Sequence, residues 1–161
     1  MNIERYTQKA QEAIIDCQNI AVEEGHQQVD GEHLHMALLQ QKDGLIPKLL
    51  TYAKLNVGEI IGSVQAELDK LPKVSGSADK MYSTRRFQQL LVDAEKKAAK
   101  LKDEYISVEH MYMALLDERN TPSAAIFKRY GMSTDCFLNA LNQVRGNQRV
   151  TTQNPEEGYD A

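Results

Sequence analysis

The stretch VDGEHLHMALL, Val29 to Leu39, returns in altered form as ISVEHMYMALL, Ile106 to Leu116. The offset between them is 77 (106 − 29). It aligns Glu32 with Glu109, His33 with His110, Met36 with Met113, Ala37 with Ala114, Leu38 with Leu115 and Leu39 with Leu116. Identities that recur at one fixed offset mark a duplicated structural unit. Working outward, the same offset pairs Thr7 with Thr84, Gln11 with Gln88, Ala21 with Ala98, Leu49 with Ile126 and Asn56 with Ser133. It also brings Ile60 and Ile61 onto Phe137 and Leu138. The chain reads as two copies of one helical unit, followed by a tail.

Each copy divides into four helices. In the first, Tyr6, Ala10, Ala13, Ile14, Cys17, Ile20 and Ala21 recur at spacings of three and four, predicting a helix from Ile3 to about Glu24. Gly25 ends it. Asp30 stands where an N-cap belongs, with Glu32 in the first turn of the next helix. Lys42-Asp43-Gly44 breaks that helix, Leu45 to Tyr52 forms a third, and Asn56 caps a fourth with Ile60, Ile61, Val64, Leu68 and Leu71 facing inward. In the second copy Thr84 opens a helix whose core side is Phe87, Leu90, Leu91, Ala94, Ala98 and Leu101. Ser107, Thr121-Pro122 and Ser133 open the remaining three, the last with Phe137, Leu138, Leu141 and Val144 inside. The fold class is therefore all-α, with eight helices in two four-helix repeats related by a pseudo-twofold. Repeat one spans about 1–71, a turn-rich linker about 72–82, and repeat two about 83–145, closing a unit over 1–145. From Gly146 to Ala161 apolar periodicity stops, which reads as an exposed tail or interdomain linker.

Composition narrows the function. A formal net charge of −4 argues against a dedicated nucleic-acid surface, and no apolar run approaches the ~20 residues of a membrane span. The N-terminus lacks the apolar run of a secretory signal. Cys17 and Cys136 sit singly, as in a reducing cytosol, each on an apolar helix face where a small buried hydrophobe is expected. No GxxxxGK[ST], no GxSxG and no HExxH occurs. His33 and His35 lie about 200° apart around a helix, so they do not share one metal ion. His33 and His110 are expected half-buried at helix starts. Nothing points to catalysis or to a metal site in this chain.

The tandem units, with YTQKAQEAI, GHQQVDGEHLHMALL and DGLIPKLL, resemble the double Clp repeat at the N-terminus of Clp/Hsp100 AAA+ unfoldases, most nearly the ClpB-type disaggregases. The tail QNPEEGYDA resembles the linker towards the first ATPase module. The resemblance implies a mobile, non-catalytic module that captures unfolded or aggregated polypeptide and helps deliver it to an ATPase ring. The alternative is an adaptor-docking domain of the protease-partnered ClpC type. ATP and magnesium would belong to the full-length protein, not to this chain. The further implications are a cytoplasmic location, a homohexameric full-length protein that works with an Hsp70-type chaperone system, a monomeric isolated domain, and no nucleic-acid or membrane partner. Carried residue by residue, the resemblance assigns substrate handling to Thr7, Asp103 and Glu109. It places a neighbouring apolar groove on the first and fifth helices and the start of the sixth, with Leu91 and Tyr105 as candidates. Met111, Met113 and Met132 are candidates for adaptable surface, although methionine on a helix is more often core.

Overall fold

The computed structural model describes residues 2–74 and 81–155. The helices among them are α1 Gln8–Glu24, α2 Gly31–Gln40, α3 Leu45–Tyr52, α4 Val57–Asp69, α5 Arg85–Lys100, α6 Val108–Asp117, α7 Pro122–Tyr130 and α8 Thr134–Arg145. Side chains satisfy the first amides of most of them. Thr7, Asn56, Thr84, Thr121 and Ser133 each accept from the backbone N–H three residues on, as the sequence anticipates for the last four. At α2 and α6 the cap is reciprocal, and the N3 residue that reaches back is His33 or His110 instead of the usual Glu or Gln.

The first helix begins later than its periodicity suggests. Ile3–Arg5 is a single 3₁₀ turn, and Tyr6 is drawn out of helical geometry into a parallel bridge with Ile106. Thr7, in extended conformation at ψ 161°, then caps α1. That bridge has a mate. Two short strands, β1 Gln28–Val29 and β2 Tyr82–Ser83, pair in parallel with Val29 opposite Ser83. Adding 77 to Tyr6 and Val29 gives Ser83 and Ile106, so the two pairings are one contact repeated across the pseudo-twofold. The flanking bonds repeat as well: Thr7 N–H donates to Ile106 O at 2.9 Å, and Thr84 N–H to Val29 O at 3.0 Å. Even the left-handed backbone positions match, Gly25 with Lys102, Asp43 with Asn120 and Lys54 with Gly131.

Within each copy the long first helix packs on the second, α1 on α2 and α5 on α6; between copies α3 lies on α8, α4 on α7, and α2 meets α6 at the centre. The core runs continuously through both halves, from Leu34, Leu38 and Leu68 to Leu90, Tyr112 and Phe137. Neither half closes a core alone.

Several expectations change. His33 and His110 are fully buried, not half-buried, because each bridges its helix start to the preceding connector. Met111, Met113 and Met132 are buried in the core, the commoner of their two expected places. Cys17 is buried but Cys136 only partly so. On α8 the charged Arg145 is buried while Val144 is half-buried. The tail is not an exposed linker as far as Pro155. Val150 has no exposed surface, and residues 148–153 bond back to α1, to Arg145 and to the connector before α6. The folded unit thus runs past 145. Of the expected inter-repeat linker, Tyr82 belongs to β2, while 75–80 lie outside the described residues, as do 156–161.

Candidate functional site

A groove of about 1100 Å³ runs between α1 and α5. Its floor is Tyr6, Ile14, Val29, Phe87 and Leu91, all buried, and Val22, Val92 and Tyr82 stand on its rim with 51%, 43% and 55% of their surface exposed. The pairings of Val29 with Ser83 and of Tyr6 with Ile106, by which the two copies meet, set the end of α1 beside the start of α5 and the start of α1 beside the end of α5, and so create the groove. The polar lining is mainly uncharged: Asn2, Gln18, Asn19, Ser83 and Gln88. Among the described residues Glu95 is the one charged member of the lining; Arg5 lies 3.8 Å from it, with both side chains substantially exposed. Burial pushes the Tyr6 hydroxyl up to about 12, and the nearby Glu95 charge adds to this. Such a surface offers apolar contact and amide hydrogen bonds with little charge selectivity.

Of the five expected site residues, Leu91 lines this groove. Tyr105 is half-buried and lies outside its lining, as does the start of α6. Thr7, Asp103 and Glu109 lie outside this lining and are all buried; Asp103 and Glu109 meet on Arg145, and Thr7 joins that region through its backbone bond to Ile106. Thr7 Oγ1 accepts from Ala10 N–H at 3.2 Å. Asp103 Oδ2 accepts from His110 Nε2 at 2.7 Å, Oδ1 from Val150 N–H at 2.9 Å, and the carboxylate also binds Arg145. Glu109 takes the Ser107 hydroxyl on one oxygen and Arg145 Nη1 at 3.4 Å on the other. Ser107 N–H donates to His110 Nδ1 at 2.9 Å, which leaves Nε2 as the protonated nitrogen facing Asp103. Burial raises the Asp103 carboxyl, but hydrogen bonds from His110, Val150 and Arg145 outweigh that and hold it below the usual carboxylate range.

A second buried polar chain crosses the pseudo-twofold. Arg86 grips Glu32 with two bonds of 2.7 and 2.8 Å and Glu118 with two more. Ser123 Oγ donates to Glu32 at 3.0 Å and accepts from His35 Nδ1 at 2.9 Å, and Tyr112 OH donates to His35 Nε2 at 2.8 Å. His35 and Tyr112 are 77 residues apart, the same position in each copy. Burial, helped by the Arg86 charge, pushes His35 down to about 3. Among the described residues no group of three His, Cys, Asp or Glu is placed to hold a metal ion.

The sequence reading missed Arg86, Ser123, Arg145 and Val150. A signal existed for one of them. At the 77-residue offset Arg145 replaces the core Leu68, whereas Arg86 replaces another cation, Lys9, and so carries none. A charge that enters a core stripe in one copy only has to be matched by a partner. Val150 has no such signal, because its contact depends on the path of the chain after α8.

Comparison with known proteins places this geometry. The family model described as the Clp repeat (R) N-terminal domain matches residues 5–130. Chaperone protein ClpB of Clostridium tetani is 43% identical over the whole chain, and that of Nitratidesulfovibrio vulgaris 41%. The chain spans 19% of the length of each of these two relatives. The crystal structure of the Hsp104 N-terminal domain from Candida albicans superposes with a TM-score of 0.82 at 24% identity, covering 94% of this chain and 98% of that one. The N-terminal domain of the ClpV1 ATPase from E. coli gives 0.71 at 18% identity, covering 91% and 89%. Both show the same fold. The chain belongs to the Clp repeat N-terminal domain family, and over its whole length it is similar to the N-terminal region of ClpB chaperones.

Proposed function

We propose that this chain is the substrate-recognition module of an ATP-dependent disaggregase, and that its α1–α5 groove takes up apolar segments of unfolded or aggregated polypeptide. The observation that carries the proposal is the groove itself, an apolar floor with exposed apolar rims and a mainly amide and hydroxyl lining. Unfolded chains expose apolar side chains and unpaired backbone groups. The floor accepts the first, and the amides of Asn2, Gln18, Asn19 and Gln88 donate to or accept from the second in any register. Leu91 is the contact residue; Tyr105 lies outside the lining. Capture of this kind is weak and tolerant of sequence, micromolar or weaker, about −8 kcal/mol at most.

In a protein of the relatives' length, the captured segment passes to an ATPase ring. ATP with magnesium, the hexamer and cooperation with an Hsp70-type system all belong to that larger assembly, in the cytoplasm. The domain alone is a monomer that has no catalytic role.

An NMR titration of the isotopically labelled chain with an unfolded model protein tests this. Shifts should cluster at Tyr6, Phe87 and Leu91, and Leu91→Asp should weaken binding at least tenfold. No shift at high concentration of the unfolded protein would sink the proposal in favour of adaptor docking, where one folded partner binds tightly and generic unfolded chains do not.

A further inference from the structure

Glu32 and Glu109 occupy the same place in the two copies, yet among the described residues only the cluster around Glu109, of these two, touches chain that follows the last helix. Residues 146–155 return across the domain, where Arg149 Nη1 donates to Leu101 O at 2.5 Å and Gln153 Nε2 to Glu4 O at 3.1 Å, and three further anchors bear on the cluster and on the α1 cap. Arg145 Nε donates to Gln148 O at 2.6 Å, Asp103 Oδ1 accepts from Val150 N–H at 2.9 Å, and Gln153 O accepts from Gln8 N–H at 2.9 Å. Val150 O is bound in turn by the N–H groups of Glu104 and Tyr105, at 2.8 and 3.3 Å, so both backbone polar groups of Val150 are satisfied and its side chain is enclosed.

We propose that this cluster is the docking site for the chain's own exit segment, 146–155, and that Thr7, Asp103 and Glu109 are positioning residues that set where the chain leaves the domain. Asp103 acts directly on Val150. Glu109 acts one step away: it holds Arg145, which holds Gln148. Thr7 caps α1 through Ala10, and the amide it leaves for an outside acceptor, Gln8, goes to Gln153. The three residues thus serve three successive anchors of one strap. The first repeat shows the same crossing in weaker form. After α4, Val74 N–H donates to Gly25 O at 2.8 Å, at the connector equivalent to Lys102–Asp103. There His26 replaces Asp103 and Leu68 replaces Arg145, so no carboxylate–guanidinium clamp forms. In that copy the crossing leads directly towards the next repeat. The second copy strengthens the same joint with buried charge.

The consequence is a tether of fixed length. Docked, residues 146–155 add no reach; freed, ten residues add up to ~33–36 Å at ~3.3–3.6 Å each. Nothing in this inference uses the groove, so it stands or falls separately from polypeptide capture.

The test is ¹⁵N relaxation and amide exchange on the 161-residue chain. Val150→Asp puts a charged side chain into an enclosed position on the residue whose amide Asp103 binds, and it lies outside every helix. It should drop the heteronuclear NOE across 146–155 to free-tail values and speed exchange at Gln8, Glu104 and Tyr105 at least tenfold. Amide protection in α2 and α6 should hold, and so should the unfolded-protein shifts at Leu91. Asp103→Asn should release the strap in the same way. Thr7→Val should expose the Gln8 amide while Thr7→Ser retains its protection. A strap that stays ordered in Val150→Asp would overturn the proposal. So would loss of the Leu91 shifts together with strap release, since the cluster would then be shaping the groove.

Discussion

The two copies share a backbone but solve one problem differently: what to do with a carboxylate buried in the first turn of the central helix. In the first copy Glu32 is met by Arg86, which comes from the other half and arrives over Gly31. A Cβ at Gly31 would lie 2.5 Å from that guanidinium, and the equivalent position in the second copy is the buried Val108. In the second copy Glu109 is met by Arg145 from its own half, with Asp103 completing the pair. The first arrangement stitches the two halves together; the second stitches the domain to the segment that leaves it. Duplication supplied two equivalent buried acids, and the identity of the cation's helix decides what each one joins.

Making the second copy resemble the first should produce the largest effect. Arg145→Leu restores the residue found at Leu68 and leaves Asp103 and Glu109 buried without their cation, which should cost about 3–5 kcal/mol. Asp103→His, copying His26, removes one of the stranded carboxylates. The double variant should therefore be more stable than Arg145→Leu alone, with a coupling of at least ~1 kcal/mol in urea denaturation. Simple additivity would mean that the two side chains do not act as a unit. Arg86→Leu should cost less, about 2–3 kcal/mol, because its side chain is 23% exposed and water reaches the carboxylates it leaves.

Acid should sharpen the same contrast. His33 is pushed down to about 4 by burial and by the neighbouring His26, which is itself lowered by burial; His35 is down to about 3. For these groups the unfolded chain binds protons first. Their stabilisation is complete above about pH 6.5 and is lost as pH falls from there towards 4 for His33 and 3 for His35, each at up to about 1.4 kcal/mol per pH unit. Below about pH 4, Glu32 and Asp103 add to the loss, because both are held below the usual carboxylate range despite their burial, Glu32 by Arg86 and Ser123. His26→Asp gives His33 the partner that His110 already has. It should raise His33 and flatten the limb between pH 6.5 and 4, read from urea midpoints at pH 7, 6 and 5. An unchanged slope would remove His33 from the account.

The fold was legible because helix periodicity and caps repeat at a constant offset; Asp30, Asn56, Thr84, Ser107, Thr121 and Ser133 all cap where the pattern puts them. The split at Tyr6 was not, since an apolar residue one turn ahead of Ala10 continues the helical stripe, and only pairing with Ile106 removes it. Of the groove, Leu91 could be placed from its helix, but the floor residues Tyr6 and Val29 owe their position to the strand-like contacts between copies. The Asp103–Arg145 pair spans 42 residues and two elements. Composition is silent about such a pair, although Arg145 opposite Leu68 in the repeat alignment marks one end of it.

The smallest expected effect lies at the connector that both copies use to end their first helix. Gly25 has φ 75° and Lys102 has φ 60° at the equivalent place. Glycine adopts this left-handed geometry freely, while lysine crowds its Cβ against the backbone at a cost of roughly 1–2 kcal/mol. Glycine also gives up more freedom on folding, about 0.5–1 kcal/mol, so Lys102→Gly should gain a net ~0.5–1 kcal/mol. Gly25→Ala should lose ~1 kcal/mol by the same reasoning. Lys102 is exposed, so its substitution removes no core contact, and urea midpoints report the backbone alone. Were Lys102→Gly to destabilise the domain, the flexibility of the connector would matter more than its strain, and the neighbouring Asp103 would need a stiff approach to meet Val150.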